Sequence, residues 1–162
     1  MKKLFLILIL FTLFTSHTFA VDTSNWMNVT SDIGIQFQIP PTWAWDPMSQ
    51  TSLGIRTEKS DAYVIISHIP VNSSNMTTSK SGLEERVRHG MINLRVPQVE
   101  NMTFANNTVT ASGINLDGTI INYTETYENM YINNWIREYS DFDAVTKYSG
   151  TIDTIIEKIR FS

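Results

Sequence analysis

The chain has 162 residues, 42% of them hydrophobic, with 12 Lys and Arg against 16 Asp and Glu, a net charge of −4 and no cysteine. That is enough apolar material for one core without covalent help, and the missing thiols exclude thiol catalysis, thiolate metal sites and a disulfide scaffold together. The basic residues are scattered and outnumbered, which argues against a nucleic-acid or anionic-membrane partner.

The chain opens Met1-Lys2-Lys3 and runs almost without a polar atom from Leu4 to Phe14; Thr15, Ser16, His17 and Thr18 then restore polarity before Ala20. A positive start, a short apolar core, and Thr18 and Ala20 at the −3 and −1 positions mark an export signal cleaved before Val21. The apolar run is shorter than the roughly 18 residues that a membrane anchor needs, and no cysteine follows it to carry a lipid. The expected organisation is a signal peptide over 1–20 and one domain over 21–162, secreted or otherwise extracytoplasmic, at the cell surface or in a periplasm, with no transmembrane span after cleavage. Asn-x-Ser/Thr triplets at Asn28, Asn72, Asn75, Asn101, Asn106 and Asn122 offer N-glycosylation acceptors wherever the asparagine is at the surface.

Trp26 to Val29 starts a first short strand. Ile33, Ile35, Phe37 and Ile39 alternate with Gly34, Gln36 and Gln38, the period of two that sets one strand face on a core; Pro40 and Pro41 end it. Thr42 to Ser52 reads as an irregular connection, Leu53 to Thr57 as extended, and Tyr63 to Ile69, dense in β-branched residues, as a central strand buried on both faces. A polar loop over 72–79 leads to Ser81-Gly82-Leu83-Glu84, which has the spacing of a capping box. Leu83, Val87, Met91 and Leu94 then form one helical stripe that runs on to Arg95 before Pro97. Four strands follow, Val99–Phe104, Thr108–Ser112, Gly118–Tyr127 and Tyr131–Ser140, with turns at Asn106-Asn107, Asn115–Gly118 and Glu128-Asn129. Ile152, Ile155, Ile156 and Ile159 mark a closing helix over 151–159. Strands that follow one another rather than alternate with helices give an α+β class, a largely antiparallel β-sheet packed by a mid-chain helix and a C-terminal helix.

Two stretches carry a resemblance. Gly34-Ile35-Gln36-Phe37-Gln38-Ile39-Pro40-Pro41-Thr42-Trp43 is similar to the opening signature of PsbP-like domains, a hairpin ending in proline with a tryptophan three residues on. Ile155-Ile156-Glu157-Lys158-Ile159-Arg160-Phe161 is similar to that family's closing amphipathic helix and phenylalanine. The resemblance implies a sheet covered by helices, Trp43 as a core plug, and an exported accessory or binding module rather than an enzyme. It carries no catalytic residue over.

Catalytic chemistry finds little support among the residues. Acyl transfer needs a serine on a strained turn and a histidine base; there is no Gly-x-Ser-x-Gly. Past the signal the histidines are His68, at the end of a strand, and His89, on a solvated helix face. Asp141-Phe142-Asp143 fails the calcium-loop pattern, because Val145, Thr146 and Ile152 stand where Asp or Asn, the turn glycine and the closing Glu belong; an aspartate here is better placed to cap the last helix. No cofactor or metal is called for.

The aromatics remain. Tyr131, Trp135 and Tyr139 share one strand parity with Asn133 and Arg137, and rings interleaved with hydrogen-bonding groups compose a binding face more readily than a dry interior. Trp45, beside Asp46, is a further candidate. The expected function is a non-catalytic accessory or binding module at the cell surface for a protein or glycan partner. The alternatives are a glycosylated surface-structural protein and a hydrolase whose carboxylates converge only in the fold.

Overall fold

The computed structural model describes residues 20–71 and 78–162; the segment up to Phe19, expected to be an export signal, and the triplets at Asn72 and Asn75 lie outside the described residues. Among the described residues ten strands and two helices follow in chain order: β1 (Met27–Thr30), β2 (Ile35–Ile39), β3 (Ala44–Pro47), β4 (Ser52–Arg56), β5 (Ala62–Pro70), α1 (Lys80–Asn93), β6 (Glu100–Ala105), β7 (Thr108–Ile114), β8 (Ile120–Glu128), β9 (Tyr131–Tyr139), α2 (Phe142–Glu157) and β10 (Arg160–Phe161). β3-β4-β5-β9-β8-β7-β6 form a seven-stranded sheet and β1-β2-β10 a three-stranded one, every pairing antiparallel. The α+β class read from the element order is the observed one. Among the described residues no helix is long and apolar enough to cross a membrane.

Turn chemistry fixes the register. Asn106-Asn107 and Asn129-Met130 both sit at positive φ, 50° and 58° in the first and 51° and 69° in the second, the geometry of two-residue hairpins whose twist matches the strands. The second hairpin therefore turns one residue later than its polar residues suggest.

The two helices pack on opposite faces of the large sheet. Leu83, Val87 and Met91 of α1 meet Val109, Ala111, Ile121 and Tyr123 on one face, and Gly90 lets the helix come close: a Cβ there would lie 2.6 Å from Tyr123 Cε2. On the other face Ile152 and Ile155 of α2 join Ile35, Phe37 and Ile39 of the small sheet over Leu53, Ile55, Val64 and Ile66. Trp43 belongs to that cluster, 8% exposed, edge-on to Tyr148 at 5.9 Å.

Four expectations need correction. Residues 44–47 are a strand, the sheet's edge, where Pro47 is tolerated because its missing N–H faces no partner. β5 is buried on one face and only half-buried on the other, because α1 covers the far half of the sheet. The α1 cap is Ser79, whose hydroxyl accepts from the Gly82 amide, two residues before the capping box, and the helix ends at Asn93, short of Arg95. α2 runs from Phe142 to Glu157 rather than over 151–159, starting ten residues before its isoleucine stripe at Ile152, capped by Asp141, which accepts from the Ala144 amide at 2.8 Å.

Candidate binding cleft

Strand alternation decides which side chains meet. On β9, Tyr131, Asn133, Trp135, Arg137 and Tyr139 point to the α2 face, and they pair in register with Pro70, His68, Ile66, Val64 and Ala62 of β5. α2 crosses only the Tyr139 end of this row, so one strand face is core at one end and open at the other.

At the covered end Tyr139 is 1% exposed and belongs to the core; burial pushes its phenol up to about 12. Arg137 is half-buried and pairs with Asp153 of α2 at 3.0 Å, with its Nε buried and unpartnered among the described residues. These two residues, expected on a binding face, hold α2 in place instead. Trp45, on the edge strand β3, packs edge-on against Phe37 at 5.8 Å; register puts it on the same sheet face as Tyr131, but three strands away across the core, and it does not line the cleft described below.

At the open end the rings of Tyr131, His68 and Phe161 form a stack. His68 lies 3.9 Å from Tyr131 at 11° between planes and 4.1 Å from Phe161 at 8°, and its Nδ1 lies 2.6 Å from Asn133 Oδ1. An amide oxygen only accepts, so Nδ1 carries the proton and donates, and Nε2 is the nitrogen left for a ligand. Asn133 is 6% exposed and held within the β-ladder, which makes it a rigid holder for the imidazole. Phe161 reaches the stack because β10 pairs with β2, Phe161 opposite Ile35.

This stack forms the wall of a cleft of about 470 Å³ lined by His68, Tyr131, Asn133, Trp135, Phe161 and, at the rim, Glu128 with Arg160. Trp135 packs partly against the core, with its Nε1 buried and without a hydrogen-bond partner among the described residues. Of the residues expected on the face, Tyr131, Asn133 and Trp135 line the cleft. His68 and Phe161 were missed, because residues 68 and 161 meet only through a two-strand relay. The available signal was parity: His68 lies in phase with Val64 and Ile66 on the buried face of its strand.

Glu128 is the only carboxylate that lines the cleft among the described residues, whereas glycoside hydrolysis needs two facing carboxylates. The Ser162 hydroxyl donates to Gly34 O at 2.9 Å and makes no bond to His68. Away from the cleft, the buried carboxylate of Glu125, 2% exposed, lies under α1 and pairs with Arg86 at 2.7 Å. Burial raises its carboxyl against the pull of Arg86 and Tyr123, and burial likewise raises the Tyr123 phenol. Of the triplets, Asn28, Asn101 and Asn106 are exposed and Asn122 is half-buried in an interior strand.

No protein-family model matches the chain, and no curated protein is similar to it in sequence. Solved structures share its architecture at low identity. Cyanobacterial PsbP from Synechocystis matches with a TM-score of 0.54 at 10% identity, over 88% of this chain and 95% of that one. The Saccharomyces cerevisiae Ran-binding protein Mog1p matches with a TM-score of 0.55 at 9% identity, over 85% and 95%. The likeness shows a PsbP- and Mog1-like α+β fold.

Proposed function

We propose that the protein is an exported, non-catalytic binding module, one domain from Val21 to Ser162, and that the cleft beside the Tyr131–His68–Phe161 stack receives its partner. The observation that carries this reading is a histidine locked between two rings with one nitrogen satisfied by Asn133 and the other left over, at the edge of an open, aromatic-lined cavity. Sites of this composition, rings for area and a few fixed polar groups for orientation, are the usual form of a ligand pocket. Export rests on Lys2, Lys3 and the apolar run from Leu4 to Phe14. A PsbP- and Mog1-like fold also serves in a protein named as Ran-binding, which supports recognition as the use of this scaffold. Capture from cell-surface material tests the reading. The wild-type chain retains a partner and Tyr131→Ala releases it while melting at the same temperature; retention by the variant removes the cleft from the account. Mass spectrometry of the native N-terminus tests export: a chain starting at Val21 supports it, and one retaining Leu4 to Phe14 contradicts cleavage.

A second reading, a glycosylated surface-structural protein, is favoured by the exposure of Asn28, Asn101 and Asn106. Sugar on all three in native material would support it.

A further inference from the structure

The small sheet buries Ile35, Phe37 and Ile39 and so turns its other residues outward. Register places Asn28 opposite Gln38, Thr30 opposite Gln36, and Gln36 opposite Arg160. With Lys158 these side chains line a groove of about 410 Å³. Its floor is amides and a hydroxyl, tied together where Gln38 Nε2 donates to Asn28 Oδ1 at 2.6 Å. Its charges are two cations, Lys158 and Arg160, and among the described residues neither is ion-paired, although acids outnumber bases along the chain. Arg160 uses Nη1 on the carbonyls of Glu157 and Ile159, which fixes the guanidinium and leaves the rest of its fork free for a carboxylate. Arg160 lines both the groove and the aromatic cleft, and β10 lies between them, with Phe161 stacked on His68 and Arg160 opposite Gln36.

We propose that this groove is a second subsite of the same binding site and that the occupant of the whole is an acidic polysaccharide, a chain of uronic-acid sugars. The proposal rests on the cleft being a binding site. The chemistry divides along β10. The face of Tyr131 turned away from His68 suits the C–H face of a pyranose, and the Asn28, Thr30, Gln36 and Gln38 side chains suit its hydroxyls. The two unpaired cations suit a carboxylate. An acidic peptide is the weaker fit, because Val29 and Phe37 are the only apolar residues that line the groove among the described residues and the rest of its lining is amides, a hydroxyl and the two cations.

Affinity electrophoresis and titration calorimetry test this on the mature chain made without N-glycosylation, so that Asn28 is bare. The probes are polygalacturonate and alginate, fully methyl-esterified polygalacturonate as the neutral counterpart, and polyglutamate as the acidic peptide. The expected result is binding to an acidic polysaccharide that weakens at least tenfold on esterification. Lys158→Gln and Arg160→Gln should each weaken it about three- to tenfold, the range for a hydrogen-bonded charge at a partly exposed site, with unchanged melting temperature, and Tyr131→Ala should weaken it as well. Polyglutamate binding as tightly would identify the groove as a peptide or general polyanion site and overturn the proposal. Equal binding of the esterified chain, indifference to Lys158→Gln and Arg160→Gln, or no binding of any polysaccharide would overturn it too. Failure here with a captured partner still lost in Tyr131→Ala would leave the cleft standing and remove only the groove.

Discussion

The two faces of the large sheet show how one scaffold makes a closed layer and an open one. Under α1 the rows from β7 and β8 end in a buried ion pair, Arg86 with Glu125, inside an otherwise apolar cluster. Under α2 the row on β9 starts as core at Tyr139 and ends as cleft at Tyr131, because the helix stops short of the far end and Phe161 of the small sheet reaches it only to stack on His68. A polar side chain on the first face has to be satisfied by the protein itself. His68 at the open end of the second face has Asn133 for one nitrogen and the cleft for the other, and that difference is what the proposed recognition would use.

The sharpest way to break the comparison is to unbalance the closed face. Arg86→Ala leaves Glu125 buried and charged and should cost about 3–5 kcal/mol at neutral pH, whereas replacing both by apolar residues of similar volume should come near to neutral; chemical denaturation of the single and double variants gives both values. A single variant no less stable than the double would mean that the pair is not functionally buried. On the second face the row itself should show a gradient. Tyr139→Ala should cost about 3–5 kcal/mol as a core aromatic, Trp135→Ala about 2–3 kcal/mol as a half-buried one, and Tyr131→Ala no more than about 1 kcal/mol. Equal losses along the row would mean that the open end is as packed as the covered one.

The smallest effect concerns Glu138, whose carboxyl burial alone holds above its ordinary value. A carboxyl raised in the folded state contributes stability below the unfolded value of 4.5 and loses it as pH rises through the folded one. Glu138→Gln should therefore stabilise by less than about 1 kcal/mol at pH 7 and by nothing measurable at pH 4. A variant equally or less stable than wild type at pH 7 would show that the group is solvated.

How much of this was legible in the sequence depends on the range of the contact. The strands, the helix stripes and the class follow from local period and turn residues such as Asn106-Asn107. Asp141 as a cap follows from residue type. Tyr131 and Trp135 were found because parity groups them with Asn133. Tyr139 and Arg137 were misplaced for the same reason: parity tells which face a side chain takes but not how far along it a helix 16 residues long will reach. The start of that helix was missed because Phe142 to Gly150 lack the isoleucines that mark its second half. His68 with Phe161 is a contact made by topology, and no spacing announces it.

The most direct test of the cleft as the proposed recognition surface is nuclear magnetic resonance on residues Val21–Ser162, using the four tryptophan side chains as reporters during titration with any partner recovered in the capture experiment proposed above. The account predicts that the Trp135 indole signal and the backbone signals of His68, Tyr131 and Asn133 move together and saturate, while the signals of Trp43 and Trp45 stay in place. Shifts centred on Trp45 and the β3 edge, with Trp135 and Tyr131 unmoved, would contradict it.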